Sequence, residues 1–459
     1  MEPSPTTPQT FYALINYEDL YVQPLILSAL QKHFPNTHHL ISNLSELPSP
    51  ASPLLQFIQY ESIDFSHLVS HPTTSLANAY VIRKALIRKH YLATTVRNWV
   101  VKYPESVLGR GWKGGVEFEV DYAEFLDEAL VEAYELRESW ERNSMLEEED
   151  GKKKKEWWIL KPGMSERGQG IRLFSSEEEL TAIFEEWDPV DSDDEEDVQA
   201  GDARSDHSNT PRHPKPSKGT GNGIITSQLR HFIAQPYIHP PLLLSPSSSP
   251  SSTTAPRKFH IRTYVLATGA LKVYVYRPML ALFAAKPYLP PSSDLLNNPE
   301  GLKAHLTNTC LQDSGEREGS VGLFWDLPSL PSQAEDWKPL ISTQILALTS
   351  SLFEAAARGM SIHFQPLPNA FEIFGLDFMV GIEDDGSLNT YLLEVNAFPD
   401  FRQTGEELRG VVEGLFEEVV RIGVGGFFGG HGEREVGWKE GINGEAKMVK
   451  VLDIDLGKR

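Results

Sequence analysis

A single cysteine, Cys310, stands in 459 residues, which excludes an internal disulfide and fits a reducing compartment. Positive charge is also scarce. The 42 Lys and Arg face 64 Asp and Glu, for a net charge of −22, whereas general nucleic-acid binding needs a basic footprint. Part of the deficit is local: without the nine acids and one Arg between Asp188 and Asp206, the remainder still carries −14. No apolar run reaches the length needed to cross a bilayer. The start, MEPSPTTPQT, has neither the basic n-region nor the apolar h-region of a secretory signal. The expectation is a cytoplasmic protein with no nucleic-acid and no membrane partner.

What is present suits packing. Apolar residues make up 40% of the chain, and its length calls for two or three subdomains rather than one core. Phe11 to Ile15 reads as a strand and Val22, Leu25, Ile26 and Leu30 as a helix face. With a base-rich, helical-looking Ser75 to Val101, they form an expected N-terminal α/β subdomain over 1–105. A central subdomain over 106–240 holds a periodic helix from Asp121 to Met145 and a strand from Trp157 to Leu160. A further helix runs from Ser176 to Trp187, with Ser176 as N-cap and Glu179 three residues on. A C-terminal subdomain over 241–422 holds strands at Phe259 to Ala267 and Ala270 to Tyr276, and helices at Ile341 to Arg358 and Glu406 to Arg421. Residues 188–223 and 245–256 lack apolar periodicity and read as disordered or low-complexity insertions, and 423–459 as a Gly-rich tail. The fold class is therefore α/β (α+β), with ordered sheet elements on either side of the insertions.

Chemistry concentrates in four places. In Phe371 to Phe398, two alternating runs flank an Asp385-Gly386 turn signal. A two-residue loop there pairs Asp384 with Ser387, setting Asp377 opposite Glu394 and Gly375 opposite Asn396. Phe374, Leu376, Phe378, Val380, Leu393, Val395 and Ala397 then face the core. Facing carboxylates repel unless a cation lies between them, and Asp, Glu and Asn supply the hard oxygens magnesium takes. A solvated acidic face is the plainer alternative. In the second place, Lys258, His260, Arg262 and Arg277 share a face whether the turn is Thr268-Gly269 or Gly269-Ala270. The latter loop sets Arg262 opposite Arg277, a pairing that an anion would resolve.

In the third, a strand delivers Lys161 into a loop with three glycines, KPGMSERGQG, able to bring backbone N–H groups to phosphate oxygens. The spacing of a Walker A loop is absent. The fourth, Phe232 to Ile238, is an apolar strand ending in polar groups, suited to an adenine edge or to a sheet edge.

In this order these pieces resemble the tubulin-tyrosine ligase (TTL) family of the ATP-grasp superfamily. The resemblance rests on KPGMSERGQGI, FIAQPYIHPPLL, RKFHIRTYV, VYVYR, HLTNTC, GLDFMV and LLEVNAFP, from about Phe11 to Arg402. It implies an ATP-grasp fold with a small N-terminal α/β subdomain and disordered insertions. It further implies that Lys84, Lys161, Gln235, Tyr237 and Lys258 contact ATP, with Asn308 in the same cleft. Arg262 and Arg277 would handle the reacting carboxylate and phosphate, and Asp377, Glu394 and Asn396 would hold Mg2+. Two positions depart from the family pattern: His260 stands where Asp is common, and Arg167 where Lys is usual.

The implied reaction joins a free amino acid, most simply tyrosine, to a protein carboxylate such as the tubulin C-terminal tail, through an acyl phosphate. Polyglutamylase- or glycylase-like ligation is the rival within the family. A nucleotide-binding scaffold with weakened catalysis is the alternative outside enzymology, and a small-metabolite ligase is disfavoured by the motif series.

Overall fold

The computed structural model describes residues 10–148, 155–163, 169–188, 229–246, 255–292, 299–307, 320–330, 336–429 and 447–456. Residues 189–223 and 247–254 of the expected insertions, Asn308, Cys310 and Arg167 lie outside them.

The first sheet is parallel. Strands β1 (Phe11–Asn16), β2 (His38–Ile41), β3 (Leu54–Ile58) and β4 (Ser75–Ala77) lie in the order β2-β1-β3-β4. The helix Val22–His33 buries Val22, Leu25, Ile26, Ala29 and Leu30, the face expected from its spacing. Its first turn is capped by Asp19, whose carboxylate accepts from the Tyr21 and Val22 amides. Ser75 to Val101 is not one helix. Ser75–Ala77 instead extends the sheet by pairing with Leu54–Gln56, and helix begins only at Lys84–Ile87 and Lys89–Lys102.

The central sheet runs β5 (Val116–Glu119), β8 (His231–Pro236), β6 (Trp158–Pro162) and β7 (Arg172–Phe174), all antiparallel. Its core joins Phe118, Leu160, Phe174 and Phe232 to Leu136, Leu180 and Phe184 from the covering helices. The expected helix Asp121 to Met145 is broken into Ala123–Phe125, Leu126–Ala129 and Tyr134–Glu148. Leu126, Leu130, Ala133 and Leu136 are buried all the same. Periodicity marked burial, and consecutive short helices satisfy burial as well as one long helix does. Ser176 does cap the helix Glu177–Trp187, accepting from the Glu179 amide.

The third sheet carries the site. It comprises β9 (Leu243–Leu244), β10 (Arg257–Thr268), β11 (Lys272–Tyr276), β12 (Leu280–Phe283), β13 (Val321–Leu323), β14 (Phe371–Ile382), β15 (Leu388–Ala397) and β16 (Met448–Asp453). The long β10 pairs with β9, β11, β12 and β14, and β14 with β15. Strand β16 lies within the segment expected as a Gly-rich tail and pairs with β11, covering an edge that would otherwise expose unpaired backbone.

Both faces of this sheet are buried. One packs Phe259, Ile261, Val265, Phe374 and Leu376 against the helix Trp337–Gly359. The other packs Tyr264, Leu266, Phe371 and Ile373 against β1, Val22–His33 and Arg409–Val419. By length and composition Trp337–Gly359 could cross a membrane, contrary to the expectation that no apolar run would. Here Ile341, Ile345, Leu348 and Leu352 are spent on the core.

Candidate active site

Antiparallel pairing builds the centre of the site across three adjacent strands. Arg262 on β10 is opposite Asp377 on β14, which is opposite Glu394 on β15, and Gly375 is opposite Asn396. The acidic register is the expected one, yet the turn is not. Ile382 pairs with Leu388 around a five-residue loop in which Gly386 takes φ +81°. Pairs from Phe378 to Ile382 are thereby one residue out, and a bulge between Asp377 and Phe378 restores the step. Leu393, expected in the core, is the extra residue and lines the cleft, as does Ala397, while Leu392 takes the core place.

The basic face differs more. Val265 pairs with Val275 and Thr268 with Lys272, so the loop is Gly269 to Leu271, three residues rather than either two-residue turn. Arg277 therefore does not face Arg262. It lies beyond β11, its guanidinium carbon 5.8 Å from the Trp325 ring centroid, and is not among the residues lining the cleft. Arg262 is paired with the Asp377 carboxylate of the neighbouring strand: Nε donates to Oδ1 at 2.5 Å and Nη2 to Oδ2 at 2.9 Å. Both side chains are buried, 7% and 3% exposed. Burial opposes the Arg262 charge, but Asp377 outweighs it and raises the guanidinium above its ordinary value.

Glu394 is the more open carboxylate. Lys89 Nζ lies 3.4 Å from its Oε2, and Asn396 Nδ2 donates at 3.3 Å to both Glu394 Oε1 and Asp377 Oδ2. Burial acts to raise its pKa, yet Lys89, Lys161 and Arg262 together hold it down at about 2. Lys84 is exposed and not among the residues lining the cleft, whereas Lys89, at the start of the helix Lys89–Lys102, lines it.

Two buried lysines form the other side. Lys161 Nζ donates to Gln235 Oε1 at 2.8 Å, and Gln235 Nε2 donates to the Lys113 carbonyl at 3.1 Å. Lys258 Nζ donates to Tyr237 Oη at 2.8 Å, which lies 3.0 Å from His305 Nδ1. Burial lowers Lys161 to about 8 against the pull of Glu394, and burial with the nearby Lys161 lowers Lys258 to about 7. His260 is buried between Lys258 and Arg262. Its Nδ1 lies 2.6 Å from Thr307 Oγ1, and its Nε2 has no hydrogen-bond partner among the described residues. Burial lowers its pKa, with Asp377 acting the other way.

These groups line one cleft of about 900 Å³. Its far end comes from the loops after β1 and β3, Tyr17 to Asp19 and Gln59 to Glu61. There the order of the parallel sheet reverses, the usual ligand crevice of such sheets. Arg83 sits in this wall with its guanidinium carbon 3.6 Å from the Tyr60 ring centroid and its Nε 2.8 Å from Glu372. No motif marks this end, because Arg83 and Glu372 meet only through the tertiary fold.

The donor set fits a hard cation. Asp377, Glu394 and the Asn396 amide gather three oxygen-bearing groups, and a half-turn of the amide would bring its oxygen inward. Among the described residues no cluster of three or more His, Cys, Asp or Glu could hold a metal by itself. Two carboxylates and an amide are what magnesium needs when phosphates and waters complete its shell.

Comparison with known proteins gives concordant results. The family model described as the tubulin-tyrosine ligase family matches residues 118–428. A Schizosaccharomyces pombe protein named as a probable tubulin–tyrosine ligase is 41% identical over 98% of this chain and 98% of its own length. A Saccharomyces cerevisiae protein with the same description is 38% identical over 94% of this chain, which spans 54% of that protein. Among solved structures, the C-terminal domain of K. lactis Pby1 superposes with a TM-score of 0.66 at 35% identity, covering 97% of this chain and 99% of that one. It is described as an ATP-grasp enzyme interacting with the mRNA decapping enzyme Dcp2.

Proposed function

Because the chain belongs to the tubulin-tyrosine ligase family and has the ATP-grasp fold, we propose that its cleft joins a free amino acid to a protein carboxylate at the expense of ATP. The observation that carries this reading is the meeting of Lys161, Lys258 and Lys89 with Asp377, Glu394 and Asn396 in one cleft. The γ-phosphoryl group of ATP passes to the acceptor carboxylate, releasing ADP. The α-amine then attacks the acyl carbon, phosphate leaves, and an amide forms. Lys161 and Lys258 neutralise the phosphate chain, with Lys89 beside Glu394. Asp377, Glu394 and Asn396 would hold magnesium, which when bound neutralises phosphoryl oxygens. Arg262 fixes Asp377 rather than gripping the acceptor.

The end lined by Glu18, Asp19, Glu61 and Asp400 suits the ammonium of the incoming amino acid. Tyrosine and the C-terminal carboxylate of α-tubulin are the simplest substrates, with glutamylation or glycylation as family variants and the cytoplasm as compartment. A nucleotide-binding scaffold is the second reading, supported by the description of the Pby1 domain as a partner of a decapping enzyme.

The experiment is ATP titration with and without magnesium, followed by transfer of labelled amino acids to tubulin and tail peptides. Failure to bind ATP contradicts the reading. Lys89→Ala is expected to weaken ATP binding about 10-fold or more, the scale of a lost contact to a charged group. Lys84→Ala should change it less than about 2-fold, as for a surface side chain. Equal losses in calorimetric titrations would return the role to Lys84.

Proton linkage gives another check. Lys161 and Lys258 have folded-state pKa values of about 8 and about 7, below that of an unfolded lysine. The nucleotide-free chain therefore gains stability as pH rises through that window. Phosphate favours the ammonium forms, so ATP binding takes up protons near pH 8 and weakens as pH rises further. Calorimetry in buffers of different ionisation enthalpy measures this uptake, and proton release would contradict it.

A further inference from the structure

We propose that His305 is a positioning residue of this cleft: through the Tyr237 hydroxyl it holds the Lys258 ammonium in place for the nucleotide. The inference rests on the nucleotide reading above and concerns a residue to which that reading gives no role.

Lys258 is a buried cation, 3% exposed, and no carboxylate pairs with it among the described residues. Its ammonium donates to Tyr237 Oη at 2.8 Å and lies 4.2 Å from the centroid of the same ring. A lysine rides on a flexible four-carbon stem, and Lys161, a second buried cation, repels this one. Tyr237 is therefore the group that decides where the ammonium sits.

His305 sets what Tyr237 can do. Its Nδ1 lies 3.0 Å from Tyr237 Oη, and its ring is 2% exposed, packed edge-on against the rings of Tyr237 and Tyr288. An ammonium only donates. The phenol oxygen thus accepts from Lys258, and its own proton goes to Nδ1, which leaves the imidazole proton on Nε2. Among the described residues Nε2 has no partner in either tautomer, so the Nδ1 contact decides. Burial, with Lys258 and His239 nearby, lowers His305 to about 4, which keeps the ring neutral and able to accept.

Donation to Nδ1 makes the phenol oxygen a better acceptor for the ammonium, because hydrogen bonds in a chain polarise one another. Without His305 the Tyr237 proton can turn back toward the lysine and favour its neutral amine. The other titratable groups around this chain are Lys161 and His260 beside Lys258, and Tyr288, whose hydroxyl lies 2.8 Å from His239 Nδ1, beside Tyr237.

The test titrates ATP from about pH 6 to about pH 9 into the wild-type chain, His305→Leu, His305→Asn, Tyr237→Phe and the double variant Tyr237→Phe with His305→Leu. Thermal unfolding is the control for folding. His305→Leu should weaken ATP about 3-fold or more near neutral pH and move the alkaline loss of affinity down by about half a pH unit or more. His305→Asn, whose Oδ1 can accept the Tyr237 proton near the place of Nδ1, should stay within about 2-fold of wild type. In the Tyr237→Phe background His305→Leu should add less than about 2-fold, because the link is already cut. Imidazole nitrogen NMR of the wild-type chain, which needs no substitution, should place the His305 proton on Nε2. A proton on Nδ1, an unshifted pH profile in His305→Leu, His305→Asn as weak as His305→Leu, or the full His305→Leu loss in the Tyr237→Phe background would each overturn the inference while leaving the ligase reading standing. Wild-type protein that does not bind ATP would overturn both.

Discussion

Replacing Glu394 by Gln is expected to lower amide formation by about 10³-fold, the scale on which removing preorganised charge acts, while leaving the fold intact. The two carboxylates are not equivalent. Asp377 is committed to Arg262 through two hydrogen bonds, whereas Glu394 meets Lys89 only at 3.4 Å and keeps its side chain 26% exposed to the cleft. Glu394 is therefore the carboxylate most available to a cation. Gln keeps the shape and deletes the charge. Three cations that depress its pKa to about 2 also mean that the ionised form supports folding. That contribution is present above the ordinary carboxylate range and is lost as pH falls toward 2. Glu394→Gln should therefore be somewhat less stable than wild type at pH 7, with the difference vanishing in strong acid. Transfer assays and unfolding at pH 7 and pH 3 check both parts. A variant as active as wild type would remove Glu394 from the mechanism.

Arg262→Ala should cost about 3–5 kcal/mol of stability, because it strands a buried carboxylate. The effect follows from geometry: a bidentate pair, both members more than nine-tenths buried, at the centre of the sheet. Arg262→Ala combined with Asp377→Asn should recover much of the loss, since no unpaired charge remains. Activity should stay absent in both, because the floor of the cleft has lost its fixed carboxylate. Denaturant unfolding of the two single variants and the double variant closes the cycle. Additive stabilities would contradict a coupled pair, and activity in the double variant would contradict the role of Asp377.

The register of Asp377 against Glu394 was legible in the sequence for a reason that was partly accidental. Alternation fixed which residues of β14 face the core, and an Asp-Gly turn signal placed Asp377 opposite Glu394. The loop is in fact longer, and the bulge at Leu393 compensates. No such compensation exists between β10 and β11, so a turn one residue longer than expected moved Arg277 out of the site. Turn length decides register, and composition alone does not fix turn length when Gly269 can serve several loops.

Lys84, which the resemblance implied as an ATP contact, is exposed and outside the cleft lining for another reason. Arg-Lys occurs twice within seven residues, at 83–84 and 88–89, and only the fold tells which of the two lysines lines the cleft. The bidentate lock between Arg262 and Asp377 was also out of reach, because β10 and β14 are neighbours through pairing between distant segments. By contrast Lys161, Gln235, Tyr237 and Lys258 line one cleft, each at the end of a strand or loop whose motif is continuous in sequence.

The most direct measurement of the central claim is transfer itself. Purified protein with magnesium and ATP is incubated with detyrosinated tubulin, tail peptides and a panel of labelled amino acids, beside Glu394→Gln. The expected result is incorporation into an acceptor carboxylate that requires ATP, releases ADP and phosphate in step with amide formation, and disappears in the variant. ATP bound without incorporation or ADP release for any acceptor would contradict the ligase reading and leave the nucleotide-binding scaffold in its place.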